Sequence, residues 1–139
     1  MPSVSSETIT LLLQIAFLVG AVTDGLAVIP MLFRRIGAAL FGGDATRNNM
    51  ENQFAWGIGA ALMAGWTLLL LWGAASPIAR RDILLLTVFP VIAGIVLATV
   101  IAACRGLVSV ARMLPLWIHL GVVSLFYITV YILSIPFAH

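Results

Sequence analysis

The chain has 139 residues and a mass of 14.8 kDa, the size of one domain. Apolar residues make up 63% of it and charged residues only 9%, with a net charge of +2 and a mean hydropathy of +1.17. Because a soluble domain carries about 25% charged residues, this composition excludes a water-soluble globule, a disordered chain and a nucleic-acid-binding protein. It indicates a multi-pass membrane protein that has the lipid bilayer as its surroundings and no nucleic-acid partner.

Four charge-poor segments are long enough to cross the hydrocarbon core of a bilayer, which takes about 20 helical residues. They cover residues 9–33, 54–73, 83–103 and 114–135. The run WTLLLLW at residues 66–72 lacks the alternating polarity of a barrel strand, and helices satisfy all their backbone hydrogen bonds internally, as lipid requires. We therefore predict an all-α fold, a small bundle of four transmembrane helices that forms a single transmembrane domain over residues 1–139.

Asp24 interrupts the first span near its middle. A central Asp disfavours insertion by about 2.5–3.5 kcal/mol, and the Leu, Ile, Val and Phe residues of the span, at about 0.3–0.6 kcal/mol each, more than offset this. Asp24 shares a polar helix face with Gln14, which is expected to point into the protein. Two interpretations stay open: a carboxylate that binds a proton or a cation, or a hydrogen-bonded Asp that holds helices together.

The distribution of arginine predicts the topology. The loops at residues 34–53 and 104–113 contain five arginines and the opposite side contains two, so both loops are predicted to be cytoplasmic and both termini outside. Within the first loop, Arg34 to Phe41 form a short basic, apolar segment that suits the membrane interface. The first span is too long for a signal peptide and its flank is acidic. An Arg-only, Ala- and Gly-rich composition suggests a bacterial inner (cytoplasmic) membrane.

Small residues in the second and third spans indicate faces for helix packing, because lipid does not drive helices together by burial alone. Each span has three of them at four-residue spacing, which places them on one face: Gly57, Ala61 and Gly65, then Gly94, Ala98 and Ala102. We expect these faces to carry contacts within one chain or between chains. Trp66 is expected to pack against another helix. Pro90 should kink the third span near Leu86, with Thr87 bonding a freed carbonyl.

The fourth span has a polar face. Its residues follow a 3-4-3 spacing: Ser124, Tyr127, Tyr131 and Ser134. They either line a polar pathway or form hydrogen bonds between helices. His119 lies in the same predicted cytoplasmic half as Asp24, and it is interpreted as a buried hydrogen-bonding residue or as a proton relay. We expect Gly106 and Pro115 to break the helix between the third and fourth spans.

Catalytic motifs are absent from the sequence, which has no G-x-S-x-G, no His pair at i, i+4 and a single cysteine, Cys104. No cofactor and no metal are expected. The leading hypothesis is a non-enzymatic structural or accessory subunit that packs against itself, as a homo-oligomer, or against another membrane protein. One alternative is a proton- or cation-coupled small transporter or pore that uses Asp24. A second alternative is an intramembrane enzyme built on Asp24 and His119.

Overall fold

A computed structural model describes residues 5–41 and 50–137. Its α-helices, in chain order, are α1 (Ser6–Leu32), α2 (Arg34–Phe41), α3 (Met50–Ala74), α4 (Asp82–Leu86), α5 (Ala93–Cys104) and α6 (Val110–Ser134). Four helical segments are long and apolar enough to cross a membrane: Ser6–Leu32, Gln53–Ala74, Asp82–Cys104 and Val110–Phe137. These elements confirm the predicted all-α bundle of four membrane-spanning helices. Part of the first predicted loop, residues 42–49, lies outside the described residues.

The first span ends at Leu32, because Phe33 takes an extended backbone conformation with φ −104° and ψ 94°. Helix α2 follows at once, as a short helix over the segment expected at the interface. It packs closely on the end of α1 at Gly37, where a Cβ atom would lie 2.6 Å from the Pro30 carbonyl oxygen and 2.9 Å from Cζ3 of Trp56. The missing side chain of Gly37 therefore allows α2 to fold back onto both α1 and α3.

The third span is interrupted between α4 and α5. The six residues between these helices form a wider π-type turn, inside which Phe89 leaves the helical region with φ −121° and ψ 105°. The Phe89–Pro90 peptide bond is cis. The predicted kink near Leu86 therefore lies three residues later, because a proline disfavours helical geometry in the residue directly before it. The Thr87 hydroxyl donates to the Ile83 carbonyl oxygen at 2.8 Å, so it stays within the turn that precedes the interruption.

The boundary between the third and fourth spans differs from the prediction on one side. Gly106 ends the third span with φ +69°, a left-handed conformation that glycine adopts without strain. Pro115 was expected to break the helix, but it does not: α6 begins at Val110 and continues through Pro115. Membrane helices tolerate proline where neighbouring groups satisfy the freed backbone carbonyl.

The buried core lies at one end of the bundle. It combines the first half of α1, the last half of α3, α4 with Val88 two residues beyond its end, and the last half of α6. Its members are Ile9, Leu13, Ala16, Phe17, Ala21, Leu70, Ile83, Leu84, Val88, Tyr127 and Val130. At the other end burial is sparse: of the described residues of α5, which extends into this end, none is buried. The predicted topology places the packed end outside and the loosely packed end in the cytoplasmic half.

Candidate functional site

Helices α1 and α6 meet where the Tyr127 side chain lies against Gly20. Tyr127 is fully buried at 0% exposure, and its hydroxyl group would overlap any Cβ atom at position 20. Leu70 of α3 approaches the same point, with its Cδ1 atom 3.0 Å from that Cβ position. Three helices therefore converge on Gly20, and the absent side chain of this glycine makes room for the phenol.

Asp24 lies one helical turn after Gly20, on the same face of α1. Its carboxylate interacts electrostatically with Tyr127 across the α1–α6 contact. The side chain is half-buried, and its Oδ2 atom is buried with no hydrogen-bond partner among the described residues. The Tyr127 hydroxyl oxygen is buried and unpartnered in the same sense. The structure thus brings together two predicted site residues from different helices, and each has an unsatisfied oxygen atom.

Two unsatisfied oxygens at one place have a chemical consequence. Buried polar atoms in proteins are almost always hydrogen-bonded, because an unmade bond costs about 1–3 kcal/mol. An ionised carboxylate only accepts hydrogen bonds, whereas a phenol both donates and accepts. Asp24 and Tyr127 are therefore complementary groups. A small movement would let the two side chains form a hydrogen bond directly, and a bridging water molecule would join them without that movement.

The other predicted polar residues do not join this pair. Gln14 is half-buried on α1, and His119 is exposed on α6. Neither forms a hydrogen bond or an ion pair within the part of the chain that the structure describes. Tyr131 is half-buried and lies below the Arg81 guanidinium, whose Cζ atom is 5.8 Å from the ring centroid.

The polar face of α6 is buried or half-buried within the protein. Tyr127 and Ser134 are buried, and Ser124 and Tyr131 are half-buried. The Ser134 hydroxyl donates to the Tyr131 carbonyl oxygen at 2.6 Å, so it is satisfied within its own helix. Among the described residues this face therefore forms no hydrogen bond to a neighbouring helix.

Hydrogen bonds between helices come instead from two tryptophans. Trp66 Nε1 of α3 donates to Thr87 Oγ1 at 3.1 Å, which confirms that Trp66 packs against another helix. Trp117 Nε1 of α6 donates to Thr99 Oγ1 of α5 at 2.8 Å. The second bond ties α5 to the rest of the chain. The sequence suggested Trp117 only as an interfacial anchor, and no pattern in it indicated Thr99 as the partner.

The predicted small-residue faces are open within the chain. A Cβ atom added at Gly57, Gly65 or Gly94 would meet no heavy atom of the described residues within 4 Å. Ala61 and Ala98 are exposed and Ala102 is half-buried. The three glycines of these faces therefore make no close contact within the described residues, and helix contacts at the two faces stay a prediction.

Close contacts occur at glycines that the spacing did not single out. A Cβ atom at Gly73 would overlap the Phe17 ring, just as one at Gly20 would overlap Tyr127. Gly20 precedes Asp24 by four residues, and this i, i+4 relation was the one sequence feature that linked a close contact to the candidate site. Gly73 stands at the end of its span with no comparable feature.

Two arginines stabilise the connection between α3 and α4. Arg80 Nη1 donates to the Trp72 carbonyl oxygen, and the Arg80 guanidinium stacks on the Trp72 ring with Cζ 3.6 Å from the centroid. Arg81 Nε lies 4.0 Å from Asp82 Oδ1, and this buried nitrogen has no hydrogen-bond partner among the described residues. Arg80 therefore has close local partners, whereas Arg81 has a long ion pair and the more distant Tyr131 ring.

Comparisons with known proteins add no assignment to this site: no protein-family model, no curated protein and no solved structure matches the chain. Within residues 5–41 and 50–137, no three His, Cys, Asp or Glu side chains come together in a way that could hold a metal ion. The Asp24–Tyr127 pair is the place where two predicted site residues from different helices, each with an unpartnered buried oxygen atom, come together.

Proposed function

We propose that this protein is a small integral-membrane subunit that assembles laterally with copies of itself through the open faces of α3 and α5. One observation carries the proposal: Gly57, Gly65 and Gly94 face open space within the chain, with no described heavy atom within 4 Å of an added Cβ. Lipid is as apolar as leucine, so helices associate where small residues let their backbones approach closely. A glycine stripe on a lipid-facing surface is thus the surface that gains most from a second helix.

The packing of α5 supports the same proposal. None of the described residues of this helix is buried, and it is held to α6 by the Trp117–Thr99 hydrogen bond. The opposite end of the bundle has a continuous core from four helical segments. A neighbouring copy against α5 would supply the contacts that its own chain provides at the other end.

The test compares glycine-to-leucine substitutions on and off the proposed faces. Gly65→Leu and Gly94→Leu should shift the protein towards the monomer, measured by single-molecule photobleaching of labelled protein in vesicles. Gly121→Leu is the matched control, because Gly121 is equally open but lies on α6 outside both faces. A wild-type protein that is monomeric in vesicles, or an equal effect of all three substitutions, overturns the proposal. Stable co-purification with one different membrane protein would replace self-assembly by assembly with that protein.

A second candidate function is a proton- or cation-coupled transporter or pore with Asp24 as the coupling carboxylate. The unpartnered Oδ2 atom inside the bundle favours it, because a carboxylate that only held helices together would have a hydrogen-bond partner. Asp24→Asn keeps the shape and removes the charge. It should abolish ion flux that is measured with a pH-sensitive dye inside vesicles. If Asp24→Asn and wild type give the same flux, this candidate fails.

The proposed location is the inner membrane of a bacterium, with both termini outside and the loops at residues 34–53 and 104–113 in the cytoplasm. The arginine distribution supports this orientation. A C-terminal alkaline phosphatase fusion should be active, because that enzyme matures outside the cytoplasm. A C-terminal green fluorescent protein fusion should stay dark, because that protein does not fold to its fluorescent form when it is exported as an unfolded chain. The reverse pattern would invert the topology.

A further inference from the structure

We infer that Asp24 and Tyr127, seated at Gly20, form a site that reversibly binds one proton inside the bundle. This inference deepens the second candidate function, which has Asp24 as its coupling carboxylate, and it does not depend on lateral assembly. It names the ligand, the second residue of the site and the glycine that makes the site possible. The proton arrives from hydronium: an O–H bond forms at an Asp24 carboxylate oxygen, an O–H bond of hydronium breaks, and water leaves.

Burial and the absence of partners carry the first step. Tyr127 is fully buried, its hydroxyl oxygen and Asp24 Oδ2 are both buried, and neither has a hydrogen-bond partner among the residues described. An orphaned pair of this kind requires an explanation, since native proteins satisfy nearly all buried polar atoms. A fully buried phenol that points its oxygen at a glycine, one turn from a carboxylate, is a built feature of the α1–α6 contact.

The chemistry of the two groups carries the second step. When Asp24 is ionised, the phenol donates to the carboxylate; when Asp24 is protonated, the acid donates to the phenol oxygen. The pair is thereby satisfied in both states by reversing one hydrogen bond, directly after a rotation of the Asp24 side chain or through one water molecule. A carboxylate paired only with a backbone N–H, which donates and cannot accept, would be satisfied in the ionised state alone.

No described side chain forms an ion pair with Asp24. Tyr127 is the titratable group that faces it from α6, and the described span of α3, Gln53–Ala74, contains no titratable residue. Arg35 of the adjoining α2 is exposed and forms no ion pair with Asp24. An ionised Asp24 therefore has no countercharge among the described residues, and a bound proton would remove its charge.

The number of oxygen ligands favours the proton. A hard cation such as calcium takes about 6–8 oxygens, whereas this site offers one carboxylate and one phenol. The Thr67 hydroxyl, near Gly25, donates to the Met63 carbonyl oxygen at 2.9 Å, and its lone pairs would add one ligand oxygen at most. Thr23, which donates to the Val19 carbonyl oxygen at 2.8 Å, would add one more, so the number of side-chain oxygens stays below six. A proton needs only the pair itself.

Infrared difference spectroscopy of the full chain in lipid nanodiscs tests the inference. When acidic buffer is exchanged for alkaline buffer, wild type should lose the carbonyl band of a protonated aspartic acid. Asp24→Asn should lack this band. Tyr127→Phe should move this band to higher wavenumber, because a hydrogen-bond partner is lost. Tyr131→Phe is the matched control: it removes a hydroxyl one turn further along α6, and the band should not move.

Several results would overturn the inference. One is a difference spectrum, wild type minus Asp24→Asn, that contains no titrating carboxyl band. Another is a Tyr127→Phe spectrum in which the band stays at its wild-type position. Replacing choline by sodium at constant pH should change nothing; a band that responds to sodium would assign the site to a metal cation. Each variant must keep the wild-type helix content by circular dichroism. Gly20→Ala displaces the Tyr127 hydroxyl without removing it, so it should produce the same band shift by a second route. Because the measurement needs neither transport nor oligomers, its failure is distinct from failure of either proposed function.

Discussion

Gly20→Ala tests the convergence of α1, α3 and α6, because the added methyl group has no free volume. It would overlap the Tyr127 hydroxyl, and it would lie 3.0 Å from Leu70 Cδ1 and 3.3 Å from Tyr127 Cζ. Overpacking a filled interior costs about 1–3 kcal/mol. The gain in helix propensity from Gly to Ala, about 1 kcal/mol, is common to any glycine of a span. Gly121→Ala has that gain with no described atom within 4 Å of its methyl, so Gly20→Ala should be about 1–3 kcal/mol less stable than Gly121→Ala.

A second substitution separates the specific overlap from a general intolerance of position 20. Tyr127→Phe removes the oxygen atom that overlaps the new methyl group, so Gly20→Ala should be tolerated much better in that background; the Leu70 Cδ1 contact is the end of a flexible side chain. The free energy of unfolding is measured by adding sodium dodecyl sulfate to protein in mild detergent and following circular dichroism. Equal stability of the Gly20→Ala and Gly121→Ala proteins, or an identical penalty with and without the hydroxyl, would refute the reasoning.

Three further predictions concern two side-chain contacts and the insertion of the first span. Trp66→Phe and Thr87→Val each remove the same interhelical hydrogen bond; each should lower the free energy of unfolding by about 0.6 kcal/mol, and a double-mutant cycle should show that the losses are not additive. Asp24→Leu should favour insertion of the first span by about 3–4 kcal/mol, read from the fraction inserted in a glycosylation-based translocation assay. Arg80→Gln and Trp72→Leu should couple by about 0.5–1 kcal/mol in a second cycle of unfolding measurements, because the guanidinium stacks on the exposed ring. Additive losses of unfolding free energy in either cycle would contradict the contact that the cycle tests. An unchanged inserted fraction for Asp24→Leu would contradict the insertion cost of Asp24.

Span positions were predictable because insertion into lipid depends on local sequence. A run of about 20 apolar residues crosses the bilayer whatever its neighbours do, and the predicted spans coincide with the helices to within a few residues. The differences lie at polar ends and prolines, where lipid makes no demand. Helix α6 begins at Val110, before its apolar run, and the third span breaks at Phe89, where proline restricts the preceding residue.

The candidate site was predictable in part. Asp24 stood out because a charge in a span is costly wherever it lies, and Tyr127 stood out through the spacing of its polar face. Their pairing depends on how α1 and α6 rotate and approach, which the sequence of neither helix contains. His119 was as plausible a partner from its depth in the membrane, yet it is exposed.

The sequence alone determined that lipid surrounds most of the chain, how many spans there are and which carboxylate is costly to insert. Each of these depends on the transfer of short segments from water into lipid. The tertiary structure alone decided which glycines bring helices together: Gly20 and Gly73 lie under aromatic side chains of other helices, whereas Gly57, Gly65 and Gly94 remain open among the described residues. Small residues at regular spacing allow a close approach on any face, and lipid surrounds every face equally. The large side chain that fills the space, Tyr127 or Phe17, comes from a distant part of the chain, so only the assembled bundle selects the contact.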